Sequence, residues 1–92
     1  MQVHVTVDEK DMAKLERLHY LVEAKVNLLV KLYESGATQT KAAMADYIDT
    51  FKEYSLMKDQ VDANYRPAAY YDRCKSWNAD FAKGELIYEV ED

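Results

Sequence analysis

Residues 9–34, EKDMAKLERLHYLVEAKVNLLVKLYE, decide the fold of this chain because they predict one long helix that is apolar around much of its circumference. At about 100° per residue, an apolar stripe runs along this helix, and a leucine flank widens the stripe on one side. The stripe comprises Leu15, Leu18, Val22, Val26, Leu29 and Tyr33, and the leucine flank comprises Leu21, Leu28 and Leu32. The combined arc is on the order of 200°, against about 100° for an ordinary surface helix. Such a helix has to be covered on two sides, and the sequence favours a second copy of the chain as the additional cover.

The size and charge of the chain limit its class. Its 92 residues make one small domain, residues 1–92, with a modest core, and the single Cys74 cannot form an internal disulfide. Seventeen acidic against twelve basic residues give a net charge of −5, and the basic residues are scattered singly, so we expect no nucleic-acid-binding face. The first residues lack a signal-peptide pattern, and no apolar run reaches the roughly 18 residues of a membrane span. We therefore expect a cytoplasmic protein that binds no membrane.

Alternating residues near both ends of the sequence predict strands. In the first run, Val3, Val5 and Val7 alternate with polar residues. Near the C-terminus, two alternating runs flank the turn Ala82-Lys83-Gly84, which predicts a β-hairpin. The apolar positions of these two runs are Trp77, Ala79, Phe81, Leu86, Tyr88 and Val90. The three strands are expected to form one small sheet, because an isolated hairpin is marginally stable in water.

Between the strands, the sequence predicts a helical hairpin. Asp8 is the expected N-cap of the first helix, Ser35-Gly36 ends it, and Thr38 or Thr40 caps a second helix. The apolar stripe of the second helix is Met44, Tyr47, Ile48, Phe51, Tyr54, Val61 and Tyr65. Arg66-Pro67 ends or kinks this helix, and Pro67 is suited to begin a short third helix through Lys75. The predicted fold is α+β: a two-helix antiparallel hairpin, plus the short third helix, packed on a small antiparallel sheet.

Glu16, His19 and Glu23 come nearest to a chemical site. Glu16 and His19 have the Glu-x-x-His spacing of di-iron bundle proteins, and Glu23 lies one turn further on. A di-iron site needs inward carboxylates from other helices as well. The acidic residues of the second helix are expected on its outer side: Asp46, Asp49 and Glu53. We therefore expect a structural His19 with one hydrogen bond, and no metal, cofactor or catalytic site.

Eight tyrosines are many for a chain of this length. Tyrosine tolerates partial exposure and is favoured at protein interfaces, although a wet aromatic core would account for these residues equally well. The predicted interface residues are Leu21, Leu28, Leu32, Tyr70, Tyr71 and Trp77. An internal cover of the leucine flank, by the sheet or by the segment after Pro67, is the competing interpretation.

The segment Ser76-Trp77-Asn78-Ala79-Asp80-Phe81, followed by an alternating strand and preceded by an acidic helical hairpin, resembles small uncharacterised proteins of tailed phages and prophages. This resemblance implies a virion or assembly component in the host cytoplasm or in the virion, and it brings no catalytic residues. The leading hypothesis is a non-enzymatic structural protein that self-associates through its long helices, as a homo-oligomer or with other protein subunits. The alternative is a small acidic adaptor or inhibitor that binds a host protein. A helical di-iron carboxylate protein is the third hypothesis.

Overall fold

A computed structural model describes residues 1–36 and 40–92, and it shows the α+β fold that the sequence predicts. In chain order the elements are β1 (Gln2–Thr6), α1 (Glu9–Glu34), α2 (Thr40–Tyr65), a 3₁₀ helix (Ala68–Arg73), β2 (Cys74–Asp80) and β3 (Glu85–Val90). The predicted bounds of the first helix are confirmed. The second helix begins at Thr40, whereas the other candidate cap, Thr38, lies outside the described residues.

The ends of α1 follow from the residues placed there. The carboxylate oxygen Oδ1 of Asp8 accepts a hydrogen bond from the backbone N–H of Lys10 at 2.9 Å, as an N-cap does. Glu9 and Asp11 in the first turn place negative charge where the helix dipole favours it. At the other end, Gly36 has a φ of 70°, the left-handed conformation in which helices commonly end and which glycine adopts without strain.

The described residues form two compact units, and each unit takes part of both long helices. The sheet unit comprises Met1–Lys14 and Asp59–Asp92, and the hairpin unit comprises Leu15–Lys58. The assignment of residues 1–92 to a single domain stays a prediction.

The sheet unit is built on three antiparallel strands in the order β1-β3-β2. Tyr88 of β3 lies opposite Val3 on one side and Trp77 on the other, so these three side chains share one face of the sheet. The buried apolar residues of this unit are Val7, Met12, Val61, Leu86, Tyr88 and Val90. The predicted pairing of the N-terminal strand with a C-terminal hairpin is therefore confirmed, and so is the inward face of β3.

The short third helix differs from its prediction in type and length. It is a 3₁₀ helix that ends at Arg73, two residues before the expected end at Lys75, and its backbone is non-helical at Tyr70. The chain enters the sheet directly after this helix, because β2 begins at Cys74. The backbone N–H of Glu91 donates to the carbonyl oxygen of Arg73 at 2.9 Å. A register irregularity between Cys74 and Ser76 accommodates this early start.

Two tyrosine hydroxyls join the elements of the sheet unit. The hydroxyl of Tyr65, at the end of α2, donates to Asp11 Oδ2 at 2.8 Å and accepts from the backbone N–H of Asp8 at 3.2 Å. The hydroxyl of the fully buried Tyr88 donates to Asp62 Oδ1 at 2.9 Å. The first contact sets the end of α2 against the start of α1, and the second fastens α2 to the sheet.

In the hairpin unit, α1 and α2 run antiparallel. His19 lies against Tyr54, and Lys25 lies against Thr50, so positions rise along α1 as they fall along α2. The buried and half-buried positions that form this helix–helix seam are Leu15, Leu18, Val22, Lys25, Leu29 and Leu32 on α1, and Ala43, Tyr47, Thr50, Tyr54 and Met57 on α2. Their spacing alternates between three and four residues, which is the spacing of helices that pack in a coiled-coil manner.

Candidate interaction surface

The hairpin unit exposes an apolar face that spans both helices, here called the groove face. It consists of Val26, Val30 and Tyr33 on α1, and Met44, Ile48 and Phe51 on α2. These side chains keep between 37% and 84% of their surface exposed. At about 100° per residue, both sets lie on the same side of the seam, since the two helices are antiparallel. The groove face is thus continuous across the hairpin unit.

A cavity of about 770 Å³ opens in the groove face between the end of α1 and the start of α2. Its apolar lining residues are Leu29, Val30, Tyr33, Met44, Ala45 and Ile48. Its polar and charged lining residues are Glu34, Thr40 and Lys41. A mostly apolar cavity of this size, with a few polar groups, has the character of a binding site and has room for several side chains of a partner.

The leucine flank lies on the other side of α1 from the groove face. Leu21 and Leu28 keep 41% and 50% of their surface exposed, and Leu32 is half-buried. Leu32 belongs to the helix–helix seam, so of the predicted flank only Leu21 and Leu28 are exposed on the hairpin unit. A role of Leu21 and Leu28 in an interface with another chain stays a prediction.

The seam contains a polar pair where the sequence predicts apolar residues. Lys25 Nζ donates to Thr50 Oγ1 at 2.6 Å and lies 3.0 Å from Asp46 Oδ2, while Thr50 is only 7% exposed. The expectation that Asp46 lies on the outer side of α2 is wrong, because its carboxylate reaches Lys25 of α1. Lysine can hold a seam position because its long apolar stem packs while its ammonium group finds polar partners.

The predicted apolar stripes do not coincide with the seam, because some of their residues are exposed on the groove face instead: Val26, Tyr33, Met44, Ile48 and Phe51. Hydrophobicity alone favours Val26 and Tyr33 over Lys25 as the residues of α1 that contact α2. It also favours Met44, Ile48 and Phe51 over Thr50. The signal that finds the true seam is the three–four spacing, which continues from Leu15, Leu18 and Val22 to Lys25 and beyond.

His19 and Glu23 are in contact, and with Tyr54 they form a hydrogen-bonded bridge between α1 and α2. His19 Nε2 lies 3.2 Å from Glu23 Oε1, and His19 Nδ1 lies 3.2 Å from the Tyr54 hydroxyl. The carboxylate can only accept, so a neutral imidazole donates from Nε2 and accepts from Tyr54 at Nδ1. Burial, and then the charge of Glu23, raise the pKa of Tyr54, which keeps this hydroxyl a donor.

The third candidate ligand, Glu16, is half-buried on α1. Across residues 1–36 and 40–92, no group of three or more His, Cys, Asp or Glu side chains is placed to hold a metal ion. His19 contacts both Glu23 and the Tyr54 hydroxyl, beyond the one hydrogen bond that the sequence predicts.

The aromatic residues of the predicted interface belong to the sheet unit. Tyr71 is 53% exposed, and the guanidinium group of Arg66 lies 5.0 Å from its ring centroid. Tyr70 is half-buried, and Arg73 lies in the same manner 5.1 Å from its ring. Trp77 is half-buried on the inner face of the sheet, with its ring centroid 6.3 Å from that of Tyr88. Stacked arginines thus occupy one face of both tyrosine rings.

Comparisons of the chain with protein-family models, with curated proteins and with solved structures find no match. In the parts of the chain that the structure describes, no helix is both long enough and apolar enough to cross a bilayer. Function is therefore inferred from the surfaces of the hairpin unit.

Proposed function

We propose that this chain is a non-enzymatic structural protein that self-associates through its long helices, as a virion or assembly component of the kind suggested by its resemblance to small phage proteins. One observation carries the proposal: the groove face leaves apolar side chains exposed on both helices around an open cavity. Soluble monomers rarely expose contiguous apolar patches of this extent unless the patch binds something.

The area of the groove face is close to what a protein interface needs. A half-exposed aliphatic side chain offers on the order of 80–100 Å², and the nearly fully exposed Tyr33 offers about 200 Å². The groove face therefore presents on the order of 600 Å², against about 800 Å² per partner in a standard interface. The exposed Leu21 and Leu28 on the other side of α1 add apolar surface for further contacts.

The test is the molar mass of the purified chain across the micromolar range, by size-exclusion chromatography with light scattering. We expect the wild-type chain to be larger than a monomer. Ile48→Glu places a charge in the lining of the cavity and should give a monomer with unchanged helical circular dichroism. Leu56→Glu is the matched control, because Leu56 is 64% exposed on α2 and does not line the cavity. A wild-type chain that stays monomeric at every concentration contradicts the proposal.

The same groove supports a second candidate function, an acidic adaptor or inhibitor that binds another protein. An open apolar groove between two helices accepts one amphipathic helix of a partner, which is a common mode of recognition. A monomeric wild-type chain that forms a defined complex with a host protein, lost in Ile48→Glu and kept in Leu56→Glu, would favour this candidate over self-association.

A further inference from the structure

Two charged residues that line the cavity destabilise the helices to which they belong. Glu34 is the last residue of α1, and Lys41 is the second residue of α2; both are exposed and both line the cavity. The C-terminus of a helix favours positive charge, and the N-terminus favours negative charge. Both residues therefore have the sign that the helix dipole disfavours. A break of a local rule at two neighbouring positions is typical of residues kept for a contact outside the element.

These two charges are self-complementary in only one of two simple twofold arrangements. When the twofold axis runs parallel to the hairpin, α1 of each copy lies over α2 of its partner, and Glu34 meets Lys41 of the partner subunit twice. When the axis crosses the hairpin at right angles, α1 lies antiparallel over the partner's α1, so Glu34 and the partner's Lys41 lie at opposite ends of the assembly and form no contact. Complementary charges across an interface fix the alignment of the partners, so the two reciprocal contacts favour the first arrangement over the second.

The shape of the groove face fits the first arrangement as well. Tyr33 is 84% exposed and borders the cavity, so the groove face carries a projecting ring beside a cavity that the described residues leave open. With α1 over the partner's α2, the Tyr33 ring lies over the partner's Met44 and the partner's Ile48, which line the partner's cavity. The twofold axis repeats this insertion, so that both cavities are filled. Each helix is then antiparallel to both of its neighbours, as in an up-down four-helix bundle.

We infer that two copies of this chain pack groove face to groove face about a twofold axis parallel to the hairpin, with reciprocal contacts between Glu34 and Lys41. This inference rests on the proposed self-association and specifies its partner and its orientation. The resulting dimer places the end of α1 and the start of α2 of both copies at the same end of the bundle.

The experiment uses two charge reversals, Glu34→Lys and Lys41→Glu, in the full-length chain. Each variant alone converts two attractive contacts into repulsive ones, so its dissociation constant should rise about tenfold or more. Both substitutions place the charge that the local helix dipole favours, so each monomer should keep its helical circular dichroism. An equimolar mixture of the variants should form a heterodimer at about the wild-type affinity, because all four charges are then complementary. Native mass spectrometry identifies this heterodimer by its mass.

Lys52→Glu is the matched control, because it makes the same charge change at an exposed position of α2 outside the cavity, and it should dimerise like the wild type. If Glu34 and Lys41 contact each other only within one chain, mixing the two variants will not restore dimerisation. If the wild type dimerises and both variants dimerise equally well, the inferred orientation is wrong while the proposed self-association stands. If the wild type is monomeric throughout, the proposed function fails and the inference fails with it.

Discussion

Replacing Tyr88 by phenylalanine tests how the sheet is held to α2. The substitution keeps the buried ring beside Trp77 and removes only the hydroxyl that donates to Asp62 at 2.9 Å. A hydrogen bond to a charged acceptor is worth about 1.5–3 kcal/mol. Asp62 keeps a second neighbour, since Arg66 Nε lies 3.8 Å from Oδ1, and its side chain is 29% exposed to water. We therefore expect the lower part of that range, a loss of about 1.5 kcal/mol in the free energy of unfolding.

The loss is measured by urea unfolding followed by circular dichroism at neutral pH, with an unchanged slope against urea concentration. It corresponds to a fall in Tm of roughly 5–10 °C for a chain of this size. A second readout is pH. Burial and the hydrogen bond to Asp62 raise the pKa of Tyr88, so this residue stabilises the fold below about pH 10, and the contribution is lost as the pH rises further. The wild type should lose stability above about pH 10 more steeply than Tyr88→Phe does.

A double-mutant cycle separates the hydrogen bond from other effects. In an Asp62→Ala background, Tyr88→Phe should no longer destabilise the chain, because the acceptor is absent. A single Tyr88→Phe variant as stable as the wild type would refute the reasoning, as would an equal loss in both backgrounds.

Two further predictions concern the first strand and the leucine flank. Removal of residues 1–7 takes away β1 and the buried Val7, and it should lower Tm by more than about 10 °C; an unchanged Tm would contradict the role of β1. Leu28→Glu should leave the chain folded, with a change in unfolding free energy within about 1 kcal/mol, because Leu28 is already half exposed. If the leucine flank also joins copies, light scattering will show a smaller assembly for this variant, whereas global unfolding would place Leu28 in the core.

The elements of this fold could be predicted from the sequence because local signals mark them strongly. The alternating valines of β1, the Asp8 cap and the Gly36 stop all act within a few residues. The start of β2 at Cys74 was harder to predict, because it depends on pairing with the end of β3 rather than on local alternation.

The candidate surface was predicted only in part. The width of the apolar arc on α1 predicted apolar surface beyond that of one contact; Leu21 and Leu28 are exposed, and their role in an interface stays a prediction. The second apolar face was not predicted, because hydrophobicity alone cannot show that Lys25 and Thr50 enter the seam. Lys25 is stable in the seam because it has polar partners on the opposing helix, above all Asp46. These partners are distant in sequence, so the residues around Lys25 do not reveal them.

The Lys25–Thr50 contact also limits how the two helices can slide past each other. A slip of one heptad along α2 would put Lys25 opposite Ala43 or Met57 instead of Thr50, so the hydrogen bond to the Thr50 hydroxyl would be lost. The loss of this hydrogen bond from a charged donor would cost on the order of 1–3 kcal/mol in the slipped alignment. A leucine at position 25 would pack well in the native alignment, yet it would stabilise the slipped alignments too. The lysine thus gives the hairpin unit a free-energy gap between one alignment and its nearest competitors.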